Sequence, residues 1–173
     1  MDKFTQRLIK AVIVYFVCAV VFVAVFQTCF MLSLVPSESM AGTIQAGDFI
    51  LSTRYDVDGG DIKRYDVLIF VPPDEPNQTY IKRLIGLPGE TIEIFDGKVY
   101  ADGMELDDTF IKAPMDSMGD GIYTVPENCY FFLGDNRNNS CDSRFWEEKY
   151  VPLQNIRAKA EFVLFPFSAA KKL

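Results

Sequence analysis

Two serines and one lysine are the residues whose types and spacing could support nucleophilic chemistry. Ser37 and Ser39 stand in the segment Pro36–Met40, and Lys82 follows later in the chain. A serine hydroxyl is a weak nucleophile until a base removes its proton, and the usual base is histidine. The chain contains no histidine, which excludes Ser-His-Asp and Cys-His arrangements. One of these serines paired with Lys82 is therefore the most economical nucleophilic pair.

The surroundings of Lys82 decide whether it can act as a base. It lies in the run Tyr80-Ile81-Lys82-Arg83, where a strand would turn Lys82 and Arg83 to opposite faces, so we expect one of the two cations to point inward. A lysine among apolar groups has a pKa lowered towards neutrality, where its amine can accept a proton. The alternative is an exposed lysine and two solvated linker serines.

A third polar stretch, Gly134–Arg144, follows the apolar run Tyr130–Leu133. This pattern is typical of a loop at a strand end, where acids, amides and hydroxyls can orient catalytic groups. Within it, Ser140 could hydrogen-bond an amine. Acid–base pairs could form between two aspartates and three arginines: Asp135 and Asp142 with Arg83, Arg137 or Arg144. The alternative is a solvated turn whose surface ion pairs contribute little.

An apolar segment precedes the serines. Residues 11–35 contain only three polar side chains, Gln27, Thr28 and Ser33, and are long enough to span a bilayer, which needs about 20 residues. A cleavable secretory signal is the alternative, but its apolar core has only about 7 to 15 residues. Pro36 is expected to end the helix. We therefore predict a tail at 1–10, a transmembrane anchor at 11–35 and a body at 36–173.

Charge at the two ends of the anchor predicts its orientation. Lys3, Arg7 and Lys10 precede it, and no lysine or arginine follows until Arg54. By the positive-inside rule the amino-terminal tail stays in the cytoplasm. The body is then expected on the outer face of the cell membrane.

The body has the sequence pattern of a mainly β fold. Short apolar, β-branched runs alternate with Gly, Pro, Asn and Asp, and helical periodicity is nearly absent. We predict an antiparallel β-barrel or sandwich, with an Asp96-Gly97 hairpin turn. Linkers are expected at 56–63 and 72–78, and a small excursion around 89–133, in which the polar stretch 102–121 is expected to be a loop or a small excursion. The predicted strand runs are 49–52, 67–71, 91–95, 98–100, 122–125, 130–133 and 161–165.

Composition narrows the partners. Beyond the tail, the body carries 14 basic and 23 acidic residues, which argues against nucleic-acid binding. Cys129 and Cys141 form a bridge or remain free thiols, and both readings stay open. Neither a metal site nor a cofactor is predicted.

In order, these stretches resemble the type I signal peptidases of bacteria. The resemblance covers the span and nearly all of the body. It implies a membrane-bound serine endopeptidase that removes signal peptides from exported preproteins after small residues at −1 and −3, working as a monomer. The motifs that carry it are Pro36-Ser37-Glu38-Ser39-Met40, Gly47-Asp48, Arg64-Tyr65-Asp66-Val67, Tyr80-Ile81-Lys82-Arg83, Gly86-Leu87-Pro88-Gly89-Glu90 and Gly134–Arg144.

The resemblance also implies roles for individual residues. Ser39 is the nucleophile and Lys82 its general base. The Ser37 hydroxyl and the Ser39 N–H bind the oxyanion, and Ser140 orients Lys82. The residues that brace the site are Asp135, Arg137, Asp142, Arg144 and Arg83. The residues that line the substrate pockets are Val35, Met40, Ile44, Ile50, Tyr80 and Ile81.

Two positions depart from the commonest family pattern, and two other functions remain as alternatives. Cys141 stands at a position where the family usually has a small residue, and Ala41 stands where the family frequently has proline. One alternative is a non-catalytic, single-span protein whose outer β domain binds partners. The other is a self-cleaving Ser-Lys regulator of the repressor type, which is a cytoplasmic DNA-binding protein, whereas this chain begins with an apolar anchor.

Overall fold

The computed structural model describes residues 2–54 and 62–173. The described chain contains one long helix, twelve strands and three short 3-10 helices. The elements are α1 (Lys3–Cys29), β1 (Phe30–Leu34), β2 (Phe49–Arg54), β3 (Val67–Phe70), β4 (Tyr80–Gly86), β5 (Thr91–Phe95), β6 (Lys98–Ala101), β7 (Met104–Glu105), β8 (Gly121–Thr124), β9 (Cys129–Leu133), β10 (Val151–Pro152), β11 (Ile156–Phe165) and β12 (Lys171–Lys172), with 3-10 helices at Arg137–Asn139, Leu153–Asn155 and Phe167–Ala169.

The apolar segment is divided between a helix and a strand. α1 is long and apolar enough to cross a membrane, and none of its side chains is buried against the body. The prediction that this helix continues to Pro36 is wrong, because it ends at Cys29 and the chain enters β1 directly. Phe30–Leu34 pairs with β2 in an antiparallel ladder, so the backbone of this stretch is bonded to a strand, apart from the Phe30 N–H, which donates to Phe26 O of the helix.

The fold-class prediction is confirmed: behind one apolar helix stands a mainly antiparallel β body. Eight strands form a large sheet that curls into a half-barrel. Along the sheet the order is β1-β2-β11-β3-β4-β9-β10, and β12 pairs with β11. β1, the edge strand that leads towards Ser39, and β4, the strand that carries Lys82, therefore belong to the same sheet.

A smaller sheet packs beside the large one. Its order is β7-β6-β5-β8, and the predicted hairpin is confirmed, with Asp96 and Gly97 both at positive φ between β5 and β6. Ile92 and Ile94 from this sheet pack in one core cluster with Phe131 and Leu133 of β9. The small sheet is therefore joined to the strand that leads into the polar loop at 134–144.

The structure also bears on the predicted linkers, the polar segment 102–121 and the cysteines. The segment 72–78 has turns and no strand, as expected of a linker, whereas most of the linker predicted at 56–63 lies outside the described residues. The polar segment 102–121 includes the short strand β7. Cys129 and Cys141 are free thiols, as are Cys18 and Cys29.

Candidate active site

The structure brings Ser39 and Lys82 together. Lys82 Nζ donates a hydrogen bond of 2.7 Å to Ser39 Oγ, and both residues are buried. Ser37 Oγ lies 3.3 Å from Ser39 Oγ and shares a hydrogen bond with it. The backbone N–H of Ser39 donates to no other group in the described part of the chain. A nucleophile, a base and two potential oxyanion donors therefore meet at one point.

A short, tightly bonded segment holds Ser39 in place. On one side Val35 N donates to Asp48 O at 2.9 Å, and the Val35 side chain is in the core. On the other side Met40 is fully buried. The loop after β9 adds a further bond, since Asn136 N donates to Ser39 O at 3.0 Å. Anchors on both sides leave the serine few alternative positions.

Burial of Lys82 changes its acid–base behaviour. Only 5% of its surface is exposed, because it is in the central strand β4, and removal from water disfavours its charged form. Its pKa falls from 10.5 to about 8 chiefly for this reason, although the negative charges of Asp142 and Asp135 partly oppose the fall. At pH 7 about a tenth of the molecules then carry a neutral amine, against about one in three thousand for an ordinary lysine.

Lys82 is buried, as expected of one of the two neighbouring cations, and Arg83 is buried as well. Arg83 has its own counter-ion, because its Nε and Nη2 atoms donate to the two carboxylate oxygens of Asp135 at 2.8 and 2.6 Å. It also donates to Tyr65 O at 2.7 Å. Because its guanidinium is paired with a carboxylate and hydrogen-bonded to a backbone carbonyl, Arg83 can be buried next to Lys82 in the same strand.

A second buried ion pair lies in the polar loop. The Nε and Nη2 atoms of Arg144 donate to the Asp142 carboxylate at 2.8 and 2.9 Å, and Gly134 N donates to the same carboxylate at 3.0 Å. Arg144 also donates to Arg137 O, and Arg137 Nε donates to Gly134 O. The loop is thus closed on itself. Its aspartate charges are offset by guanidinium groups, which limits their effect on the pKa of Lys82.

Ser140 makes no hydrogen bond to Lys82. Its Oγ is buried and makes no hydrogen bond to any described residue. The hydroxyl lies close to Gly134. A Cβ added to Gly134 would lie only 2.2 Å from Ser140 Oγ and 2.5 Å from Ser39 O, so the site has no room for a side chain at position 134. Its role in orienting Lys82 stays a prediction.

Two neighbouring grooves border the pair. One, of about 310 Å³, is lined by Ser37, Ser39, Lys82 and Cys141 among others. The other, of about 280 Å³, lies beside β1 and includes Val35. Tyr80 and Ile81 line both grooves. Met40, Ile44 and Ile50 are fully buried behind them, so their contact with a substrate stays a prediction.

Phe110 is a site residue that the sequence analysis missed. Its ring lies 4.3 Å from the Arg83 guanidinium and 5.7 Å from that of Arg137, and it packs against Tyr65. The loop between β7 and β8, which carries Phe110, therefore packs over the buried Arg83–Asp135 ion pair. No motif marks this phenylalanine, and the only available signal was one aromatic residue in a polar segment.

Fold and site together define a class: a β protein in which a buried lysine is hydrogen-bonded to a serine in a surface groove. The sequence profile of the family described as signal peptidase, peptidase S26, matches residues 6–165. The chain therefore belongs to the S26 signal peptidase family, and it is an enzyme, a serine endopeptidase.

Individual relatives agree with the family match. A signal peptidase I from Leptolyngbya laminosa is 36% identical over 146 residues, which cover 80% of this chain and 70% of the relative. A probable signal peptidase I-1 from Synechocystis sp. is 36% identical over 141 residues, covering 78% and 70%. A crystal structure of a signal peptidase I from Enterococcus faecalis is 32% identical with a TM-score of 0.50, covering 57% of this chain and 96% of that one.

Proposed function

We propose that the protein is a membrane-anchored endopeptidase that removes signal peptides from exported preproteins, with Ser39 as nucleophile and Lys82 as general base. The observation that carries the proposal is the 2.7 Å contact between the Ser39 hydroxyl and a lysine whose burial lowers its pKa to about 8. The names of the relatives supply the substrate class.

The reaction begins when neutral Lys82 accepts the proton of Ser39 as Oγ attacks the carbonyl carbon of the scissile bond. Negative charge then develops on the carbonyl oxygen. The Ser39 N–H and the Ser37 hydroxyl donate to that oxygen, and each such donor contributes about 3 to 4 kcal/mol. Collapse breaks the C–N bond, and Lys82 returns the proton to the departing amine.

Hydrolysis of the acyl-enzyme uses the same groups. Lys82 takes a proton from water as the hydroxide attacks the ester carbon, and then returns it to Ser39 Oγ. The orphan hydroxyl of Ser140 is our candidate for the group that steadies Lys82 between the two steps. This reaction leaves Ser39 and Lys82 as they began.

The anchor supports the choice of substrate. α1 ends at Cys29, ten residues before Ser39, so a helix crossing the membrane would hold the serine close to the bilayer surface. A preprotein whose own apolar segment lies in the bilayer presents its cleavage site at that level. Lys3, Arg7 and Lys10 at the amino-terminal side support a cytoplasmic tail and an outer body.

The shape of the grooves supports the preference for small residues. Each groove has a volume of about 300 Å³, and the lining residues Val35 and Ile81 pack against the fully buried core residues Met40, Ile44 and Ile50. Small side chains at −1 and −3 would fit without displacing this core.

A single chain supplies every group the proposed mechanism uses, which supports action as a monomer.

The test is cleavage of a purified preprotein with alanine at −1 and −3 by the full chain in detergent micelles. Ser39→Ala and Lys82→Ala are expected to lose nearly all activity. Two control variants remove exposed residues of the same types, Ser117→Ala and Lys172→Ala, and are expected to cut as the parent does. If Ser39→Ala cuts at the parental rate, another group is the nucleophile and the proposal is wrong.

A further inference from the structure

A second groove lies away from the catalytic pair, between the outer half of α1 and the start of β1. It has a volume of about 760 Å³. Of the described residues that line it, only Gln27 and Arg54 are polar, and the rest are apolar. The proposed reaction uses none of them.

One wall of this groove is an aromatic ladder. Phe22, Phe26 and Phe30 follow one another at intervals of four residues, with ring centroids 6.2 Å apart for Phe22 and Phe26 and 5.3 Å apart for Phe26 and Phe30. Side chains four residues apart lie one above another along a helix, as Phe22 and Phe26 do, and Phe30, the first residue of β1, continues the row beyond the helix end. The ladder forms a continuous apolar strip parallel to the helix axis.

The geometry of α1 places the top of the ladder at the membrane surface. With α1 crossing the bilayer, as the proposed function requires, the last charged residue on its inner side is Lys10. The twenty residues from Lys10 to Phe30 span about 30 Å at 1.5 Å each, which is the thickness of the hydrocarbon layer. Phe30 therefore lies at its outer boundary.

Arg54 is fixed at the same level. Its Nε donates to Phe30 O at 3.1 Å, while its two terminal nitrogens have no partner in the described part of the chain. It is also the first cation after Lys10 in a body with an acidic balance. An anion is the chemical partner that this guanidinium lacks, and the headgroup layer supplies phosphates at this depth.

Gln27 is one turn of helix deeper, about 5 Å below Phe30. Its amide makes no hydrogen bond to a described residue, although it lines the groove beside the apolar side chains. From the surface inward the groove thus offers a cation, a neutral amide and an aromatic strip. A phospholipid has the matching order of phosphate, ester and acyl chain.

We propose that this groove binds one anionic phospholipid, with its phosphate on Arg54, its ester carbonyl on Gln27 and an acyl chain along the Phe22–Phe26–Phe30 ladder. The lipid fills the space between anchor and body and so holds the tilt of one against the other. The apolar segment of a substrate is the competing occupant. It would bring no anion to Arg54, and for that reason the lipid fits better.

The test is lipid retention by the full chain, measured by native mass spectrometry from micelles containing either phosphatidylglycerol or phosphatidylcholine. The parent is expected to retain one phosphatidylglycerol in preference to phosphatidylcholine. Arg54→Gln is expected to weaken that retention about fivefold, the effect of one arginine at an anionic surface. Gln27→Leu keeps the cation and is expected to weaken retention of both lipids.

The matched control is Arg157→Gln. Arg157 is exposed, also donates to one backbone carbonyl, that of Gln154, and does not line the groove. Retention in this variant should equal that of the parent. An equal loss from Arg157→Gln means diffuse surface attraction, and unchanged retention in both groove variants means the lipid binds elsewhere; either result overturns the proposal.

A last arm separates lipid from substrate. Saturating preprotein is added to the Ser39→Ala variant with phosphatidylglycerol bound. Retention of both molecules on one chain supports the proposal, whereas displacement of the lipid assigns the groove to the substrate segment and overturns it. Because no arm measures peptidase activity, failure here leaves the proposed function to its own test.

Discussion

Replacing Lys82 with methionine is expected to stabilise the fold while removing catalysis. Burial lowers the pKa of Lys82 from 10.5 to about 8, and this difference corresponds to about 3 kcal/mol by which the buried ammonium disfavours folding at pH 7. Methionine has a similar length and no charge, but it loses the hydrogen bond to Ser39 Oγ, a cost of about 1 kcal/mol. The net gain in the free energy of unfolding is about 2 kcal/mol.

The gain should depend on pH with a definite sign. Below pH 8 both folded and unfolded parent chains carry the Lys82 proton, so the full penalty applies. Between about pH 8 and 10.5 the unfolded chain binds this proton and the folded chain does not, so stability of the parent rises with pH. Above that window the penalty is gone, and Lys82→Met should be the less stable protein by the lost hydrogen bond.

The assay is urea unfolding of the full chain in detergent micelles at several pH values from neutral to alkaline. Tyrosines that titrate in the same range are common to both proteins and cancel in the difference. Lys172→Met, which removes an exposed lysine, should show no such window. A difference between Lys82→Met and the parent that stays constant across the range would refute the reasoning, since the penalty would then not belong to an ammonium group.

Two further variants examine the groups behind Lys82. Asp135→Asn leaves Arg83 buried without its counter-ion and should lower the free energy of unfolding by about 3 to 5 kcal/mol. Because Asp135 raises the pKa of Lys82, the midpoint of the pH–rate profile should also move to lower pH in this variant. An unchanged midpoint would contradict the coupling between Asp135 and Lys82. Phe110→Leu removes the ring over the Arg83 guanidinium and should lower the free energy of unfolding, measured in urea, by about 1 to 2 kcal/mol. A loss below about 0.5 kcal/mol, as at an ordinary surface position, would show that the ring does not stabilise the guanidinium.

Most strands were predictable because their signals are local. Apolar and β-branched runs bounded by turn residues mark β2, β3, β5, β6 and β9 without reference to the rest of the chain. The helix end at Cys29 was not predictable in this way. Phe30–Leu34 is as apolar as the helix before it, and what makes it a strand is pairing with β2, some twenty residues further on.

The same distinction separates the parts of the site. Ser39 and Lys82 were predictable as a pair because histidine is absent and because the ordered motifs resemble a known family. The burial of Arg83 was not, since its counter-ion Asp135 lies 52 residues away. The contact between Arg83 and Phe110 was hidden for the same reason: neither residue carries a local signal for the other.

The direct passage from α1 into β1 has a mechanical consequence for the proposed reaction. A flexible linker would let the body sample many heights above the membrane, and Ser39 would meet a cleavage site at a fixed depth only part of the time. Here the helix continues into a strand bonded to β2, and the next residue, Val35, is bonded to Asp48. The chain from anchor to nucleophile is therefore ordered throughout, which converts the depth of the helix into the depth of Ser39. In the proposed reaction, the specificity of cleavage would depend on two properties of the substrate: the size of its side chains in the grooves and the distance of its cleavage site from the bilayer.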